Sequence, residues 1–189
     1  ISACEGTFRH LFPNIKTPRG ITLLGEYDTW RNQDKNRWDN EILPFQYGMR
    51  LLCNSVDSFP ELKLMNDDKF IAGVIEKGKT ILKYQAQCDE LACKLYSFED
   101  EFMGYRAVFL NTSTRNSQVF ASVYDESKHD IMMPFTYNSK TGNWTFSIYT
   151  TKPEIDCSEL AKKMGGGGHK AAAGFEVKNL STVVEAQLQ

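Results

Sequence analysis

The sequence predicts an α/β protein in which a helical N-terminal segment and a long connecting helix precede a small domain with a mixed sheet. Three observations support this order. Apolar residues recur at helical spacing between residues 67 and 96. Short runs of β-forming residues follow from about residue 97. Four consecutive glycines, Gly165–Gly168, then mark a tight turn, because glycine offers no side chain to pack in a regular element.

The first third of the chain contains three predicted helices. Residues 2–12 place small and apolar side chains on roughly one side of a helix. Further helices are predicted over residues 21–31 and 41–53, and the polar segment 32–40 between them is a predicted loop. This part of the chain is therefore expected to be helical throughout.

The strongest helical pattern covers residues 67–96. Apolar side chains between Phe70 and Leu95 fall largely on one stripe, and the lysines lie elsewhere on the helix. Asp67 or Asp68 can cap the N-terminus, because a carboxylate accepts hydrogen bonds from the first free amides. A single long helix is thus expected to connect the two parts of the chain.

Beyond this helix the pattern becomes that of short strands. The clearest strand covers residues 144–150, where one side carries Trp144, Phe146 and Ile148 and the other carries Thr145, Ser147 and Tyr149. The remaining predicted elements are strands over 105–110 and 131–137, a capped helix over 156–163, extended chain over 175–177 and a closing helix over 182–188. The segment 113–124 fits either a short helix or a strand.

The glycine run has the composition of a phosphate-binding turn. Successive exposed amides of Gly165, Gly166, Gly167 and Gly168 form a concave nest that favours an anion, and a helix starting just after them adds a positive dipole end. A hydrogen-bond donor and a positive charge follow at once in His169 and Lys170. The alternative is a flexible glycine linker or a packing turn.

This segment resembles the GGGHxxAAG signature of the DHHA1 domain, the C-terminal, substrate-binding domain of DHH-family phosphoesterases. The matching residues are Gly166, Gly167, Gly168, His169, Ala172, Ala173 and Gly174. The stretch before the glycines is also similar, because the family shows a strand ending in S-x-R-S followed by D-x-S/C-x-x-A. The corresponding residues here are Ser147, Tyr149, Thr150, Asp156, Ser158 and Ala161. The resemblance implies that Gly165–Gly168, His169, Lys170 and Tyr149 bind substrate.

Tyr149 stands where many members of this family carry arginine. A guanidinium can hold a phosphate in bidentate fashion, and a phenol cannot. Substrate binding is therefore expected to depend on His169, Lys170, main-chain amides and stacking on an aromatic ring.

A second, shorter resemblance lies upstream. Residues 27–30 resemble the D-x-D-T/L-W segment that ends the catalytic DHH domain in oligoribonuclease-like, cyclic-nucleotide phosphodiesterase-like or exopolyphosphatase-related proteins. In that family the aspartate binds a metal ion, which makes Asp28 the matching position. The local alternative is a helix-terminal carboxylate beside Arg31. With this resemblance, residues 1–66 are predicted to be the tail of a DHH domain, 67–97 the connecting helix and 98–189 a DHHA1-like domain.

The implied function is that of the C-terminal, substrate-binding portion of a metal-dependent phosphoesterase for short oligonucleotides or nucleotide phosphoesters. The parent enzyme is expected to use Mn²⁺ or Mg²⁺. Hydrolysis at a two-metal centre needs several Asp and His ligands, and the family's other metal-binding motifs would lie upstream of Ile1. This chain, which starts in a helical pattern without Met, is therefore expected to be an excised fragment that binds no metal and has little activity alone. Alternatives are a non-catalytic nucleic-acid-binding DHHA1 module, as in alanyl-tRNA synthetases and RecJ-type exonucleases, and exopolyphosphatase-like activity.

A third function class rests on residues 73–80, which fit the G-x-x-x-x-G-K-[ST] pattern of nucleoside-triphosphate P-loops. A P-loop requires a buried strand before it, whereas the residues here continue the apolar stripe of the predicted helix. Gly73 and Gly78 are better explained by close helix packing.

Composition limits the remaining possibilities. The net charge of −2 argues against bulk electrostatic binding of nucleic acid, although a local phosphate pocket needs only a few residues. The chain has no apolar run of about 18 residues, so no membrane association is expected. We expect a cytoplasmic protein whose partner is a phosphate-containing substrate, with a homodimer possible.

Overall fold

The computed structural model describes residues 1–113 and 116–186 and confirms the predicted α/β architecture. The chain divides into two compact units, Ile1–Gln85 and Ala86–Gln189. The first unit is helical, and the second is built on a six-stranded sheet. Among the helices of the described residues, none combines the length and the apolar character that a membrane span requires.

The regular elements follow the predicted order. The helices are α1 (Ala3–Leu11), α2 (Arg19–Asp28), α3 (Lys35–Arg37), α4 (Leu43–Leu52), α5 (Asp68–Tyr96), α6 (Cys157–Lys163) and α7 (Ser181–Ala186). The strands are β1 (Phe98–Phe102), β2 (Tyr105–Asn111), β3 (Ile131–Asn138), β4 (Asn143–Tyr149), β5 (Gly167–His169) and β6 (Ala172–Val177). A π-helical turn over Trp38–Ile42 leads into α4, and 3₁₀ turns cover Val56–Ser58, Leu64–Asn66 and Ser117–Phe120. The end of the predicted closing helix, Leu188, lies outside the described residues.

The P-loop alternative is wrong. Residues 73–80 lie inside α5, which is continuous from Asp68 to Tyr96. The segment before α5 contains a 3₁₀ turn over Leu64–Asn66 instead of a buried strand. The physical reason is the apolar stripe itself, because Ile71, Val74 and Ile75 must be buried in the core of the helical unit.

The sheet has the strand order β1-β2-β3-β4-β6-β5. Among the described strands, β2 and β3 alone run parallel, and the other neighbours are antiparallel. Strand β1 was not predicted, because its centre consists of three consecutive acidic residues, which are poor strand formers. It forms through a two-residue hairpin at Met103 and Gly104, both with positive φ, as a type I′ turn requires.

The two faces of the sheet are covered differently. One face packs against α6 and forms the larger core, which includes Phe146, Ile148 and Phe175. On the opposite face a second cluster packs over β2 and β3, with Cys93 of α5 and Phe120 of the 3₁₀ turn among its members. This second face is less covered over β4, β6 and β5, where its side chains are only partly buried or exposed.

Asp130, just before β3, is the centre of an ionic network in the sheet unit. Its carboxylate accepts hydrogen bonds from the main-chain amide and two guanidinium nitrogens of Arg106 at 2.8–3.0 Å, and from the Lys152 ammonium. Hydrogen bonding from the Arg106 side chain is the main reason why the pKa of Asp130 lies far below its usual range. A lowered pKa stabilises the fold above about pH 4, and this contribution is lost as the pH falls toward the folded-state pKa.

We therefore expect Asp130→Asn to lower the free energy of unfolding by about 2 kcal/mol at neutral pH, because charge-assisted hydrogen bonds are lost. The difference from the wild type should shrink as the pH is lowered below about 4. Urea unfolding at pH 7 and pH 3 measures both values. The exposed Glu154→Gln is the control, and its effect should stay below about 0.5 kcal/mol. An equal Asp130→Asn effect at both pH values would contradict the electrostatic account.

Candidate functional site

The glycine run begins as the end of helix α6. The amide of Gly165 donates to the carbonyl of Lys162 at 3.0 Å, and that of Gly166 donates to the carbonyl of Ala161 at 2.8 Å. These are the two bonds of a Schellman motif, and Gly165 has the left-handed φ of +78° that such an end requires. Two of the four amides predicted to hold a phosphate therefore already satisfy helix carbonyls.

The other two glycines and His169 form β5, an edge strand that pairs with β6. The expectation that a helix starts after the glycines is wrong, because Lys170 and Ala171 form a turn and the chain returns as a strand. Alanine favours helices, but Phe175 and Val177 of the same segment complete the core of the sheet on one face. Tertiary burial thus overrides the local propensity.

The tip of the β5–β6 hairpin is fixed by main-chain hydrogen bonds. The carbonyl of Lys170 accepts from the amide of Cys157 at 2.8 Å, and the carbonyl of Ala171 accepts from the amide of Thr150 at 3.2 Å. Asp156 caps α6 beside this contact, because its carboxylate accepts from the main-chain amides of Ser158 at 2.9 Å and Glu159 at 3.3 Å. The Lys170 side chain is exposed, and its backbone is held next to the first turn of α6.

Tyr149 and His169 lie in one row across the sheet. Tyr149 on β4 pairs with Ala172 on β6, and Ala172 pairs with His169 on β5. Residues directly opposite each other in antiparallel strands point to the same face, so both side chains project from the less covered face. Two strand spacings separate them, which is about 10 Å. The structure therefore places Tyr149 and His169, two of the three side chains predicted to bind substrate, on the same face of the sheet.

A second row on the same face leaves a groove beside this pair. Ser147 pairs with Gly174, which pairs with Gly167, so that two of the three positions carry no side chain. The resulting open groove has a volume of about 420 Å³, and its lining includes Thr145, Ser147, Gly165, Gly166, Gly174 and Glu176. We call this uncovered surface of β4, β6 and β5 the open face.

The open face is electrostatically asymmetric. Glu176 lies at one end, where its carboxylate accepts hydrogen bonds from the side-chain amide of Asn143 at 2.9 Å and from the Thr145 hydroxyl at 3.2 Å. His169 and Lys170 lie at the other end, about 14 Å away along β6. An anion is repelled by Glu176 and attracted by the ammonium of Lys170, so a phosphate is expected at the end of the face that carries His169.

Asp28 is the last residue of α2 and is exposed. Arg31, its suggested neighbour, forms an ion pair with the buried carboxylate of Glu5. Among the described residues, no group of three or more His, Cys, Asp or Glu side chains is arranged to hold a metal ion. The role of Asp28 as a metal ligand stays a prediction.

The predicted site residues did not include Ser147, Thr145 and Glu176. A signal for the first two was present, because the alternation in residues 144–150 places them on the same side as Tyr149. Glu176 had no such signal. Its position opposite Thr145 depends on the register between β6 and β4, which the local sequence does not specify.

Comparisons with known proteins identify similar sequences and structures. Residues 103–189 match the family model of the DHHA1 domain. An uncharacterized protein of Acanthamoeba polyphaga mimivirus is 23% identical over 182 residues, which cover 89% of this chain and 39% of that protein. Similar solved structures include the DHH domain of a member of a family of ribosomal proteins, with 12% identity and a TM-score of 0.56, covering 86% of this chain and 44% of that one. A pGpG-specific phosphodiesterase from Vibrio cholerae has 11% identity and a TM-score of 0.44, with 70% of this chain and 45% of that one covered. The chain therefore spans less than half the length of each of these relatives.

Proposed function

We propose that the chain is the C-terminal, substrate-binding portion of a metal-dependent phosphoesterase acting on short oligonucleotides or nucleotide phosphoesters, since residues 103–189 match the family model of the DHHA1 domain. The observation that supports this function is the row of Tyr149, Ala172 and His169 on the open face, beside a groove with a glycine floor. A phosphate site needs donors and close access to the main chain, and this end of the face offers both.

In this proposal the imidazole N–H of His169 donates to a non-bridging phosphate oxygen, and the ammonium of Lys170 compensates the charge. Because the amides of Gly165 and Gly166 are bonded to α6, the main-chain contribution comes instead from the outer edge of β5, the last strand of the sheet. Tyr149 offers a single hydroxyl and an aromatic face in place of a bidentate guanidinium. Positioning of the substrate is thus the role of this domain.

Cleavage belongs to a metal centre completed by residues outside this chain, to which Asp28 is the proposed contribution. A bound Mn²⁺ or Mg²⁺ would polarise the phosphoryl group and activate water there. In this proposal the chain contributes Asp28 alone to that centre, and we therefore expect it to bind substrate without hydrolysing it.

The test is the affinity of His169→Ala for a 5′-phosphorylated diadenylate, measured by calorimetry. We expect at least about tenfold weaker binding, because a charge-assisted hydrogen bond is lost. His10→Ala is the matched control, since His10 is an exposed histidine in the helical unit, and its affinity should not change. Circular dichroism establishes that both variants are folded. Unchanged affinity in His169→Ala would contradict the proposed role.

The same titration separates the remaining function classes. Preference for the diadenylate over a single-stranded 20-mer RNA supports the phosphoesterase portion, and the reverse preference indicates a nucleic-acid-binding module. Preference for inorganic tripolyphosphate would indicate an exopolyphosphatase-related substrate. Sedimentation of the chain at several concentrations tests whether it forms a homodimer.

A further inference from the structure

A second cavity lies on the same side of the sheet as the open face. It has a volume of about 220 Å³ and opens between the 3₁₀ turn Ser117–Phe120 and the strands. Its lining includes Phe120, Ala121, Tyr124, Met132 and Thr151. We call this cavity the side pocket. It is smaller than the roughly 300–1,000 Å³ of drug-sized ligand sites, so it has room for a single ring system.

The lining of the side pocket is apolar and aromatic, with polar groups near its rim. Phe120 and Met132 are buried members of the cluster on this face, and the half-buried Tyr124 packs against the same cluster. The Tyr124 hydroxyl and the Thr151 hydroxyl are 3.0 Å apart, which fixes the position of the tyrosine ring. The half-buried Tyr124 supplies the accessible aromatic ring of the pocket. A flat, weakly polar ring such as a nucleobase matches this surface, because every base has a face that can stack on an aromatic side chain.

The side pocket is connected to the phosphate end of the open face through one row of residues. Met132 on β3 pairs with Tyr149, which continues through Ala172 to His169. Tyr149 also packs against the cluster that lines the pocket. Three strand spacings, about 14 Å, separate Met132 from His169. A ligand that reaches both ends must carry an anionic group at one end and a flat apolar ring at the other.

We infer that the side pocket binds a nucleobase of the substrate while the phosphate lies at His169. This inference rests on the proposed function and specifies it further. A nucleotide substrate gains affinity from the pocket, whereas polyphosphate, which has no base, does not. Tyr149 lies between the two subsites, where its ring is placed to contact the sugar that joins them.

The inference is tested with a substitution that fills the side pocket. Ala121 is exposed at its rim, so Ala121→Phe adds a ring there without straining the core. We expect the affinity for the 5′-phosphorylated diadenylate to fall about tenfold or more, and the affinity for inorganic tripolyphosphate to stay unchanged. Ala72→Phe, at an exposed alanine of the helical unit, is the matched control and should affect neither ligand. Tyr124→Leu keeps an apolar side chain but removes the aromatic face, and should reproduce the selective loss.

The outcomes separate this inference from the proposed function. If the wild type binds the diadenylate and both pocket variants bind it equally well, the pocket inference is wrong and the phosphate site stands. If Ala121→Phe and Tyr124→Leu weaken tripolyphosphate as much as diadenylate, the cavity does not recognise a base, and the inference is again wrong. If the wild type binds neither ligand, both the proposed function and the inference fail.

Discussion

Replacement of Gly78 by alanine should lower the free energy of unfolding of the helical unit by about 3 kcal/mol or more. A Cβ atom at this position would lie 1.7 Å from the carbonyl oxygen of Pro44 and 2.5 Å from its carbonyl carbon. Both atoms belong to the backbone of α4, which cannot move aside without disturbing the packing of α4 against α5. The strain therefore has to be relieved by separating the two helices.

Gly73→Ala is the matched control, because the two glycines lie in the same helix. A Cβ at Gly73 would have no neighbouring atom within 4 Å, and the residue is exposed. Alanine has the higher helix propensity, so this variant should gain about 0.5–1 kcal/mol. Urea unfolding followed by circular dichroism measures both. Equal effects of the two substitutions would show that the close approach of α4 and α5 is described incorrectly.

The elements that the sequence predicted well are those with a local signal. The apolar stripe of residues 67–96 and the alternation of residues 144–150 each specify an element by its own period, and α5 and β4 follow them within a few residues. Strands β1 and β5 were missed because acidic residues and glycines carry no such signal. Each of these strands is held in place by pairing with the neighbouring strand of its hairpin. Such pairing joins two segments of the chain, so the local sequence of either segment does not reveal it.

The candidate site shows the same division. Tyr149 and His169 could be singled out from the residues and the resemblance, because both belong to a recognisable motif. The motif could not show that the glycines have different structural roles. The first glycine of the run ends α6, and this role depends on where the helix stops and which carbonyls remain to be satisfied. The sequence did not predict the side pocket either, since the pocket is formed by three separate segments: the 3₁₀ turn, β3 and the residues that follow β4.

The glycine run itself provides the second large effect. Gly166→Ala should lower the free energy of unfolding of the sheet unit by about 3 kcal/mol. Its Cβ would lie 2.1 Å from the carbonyl oxygen of Gly174 and 2.6 Å from the Cβ atom of Phe175. Because Phe175 is buried in the core of the sheet, neither contact can be relieved by rotating a side chain. Thermal unfolding followed by circular dichroism measures the loss.

The stability and affinity of Gly167→Ala are compared with those of Gly166→Ala. A Cβ at Gly167 would meet no atom within 4 Å, so the fold should be retained within about 0.5 kcal/mol. Gly167 pairs with Gly174, and its new methyl group would project onto the open face beside the groove. If this face binds the phosphate of a substrate, Gly167→Ala should weaken the diadenylate without destabilising the protein, since the methyl group restricts access to the groove. If Gly167→Ala leaves affinity unchanged while Gly166→Ala unfolds the unit, the glycines serve the hairpin alone. Affinity and stability measured on the same two variants therefore decide whether this run of glycines is needed for a ligand or only for the fold.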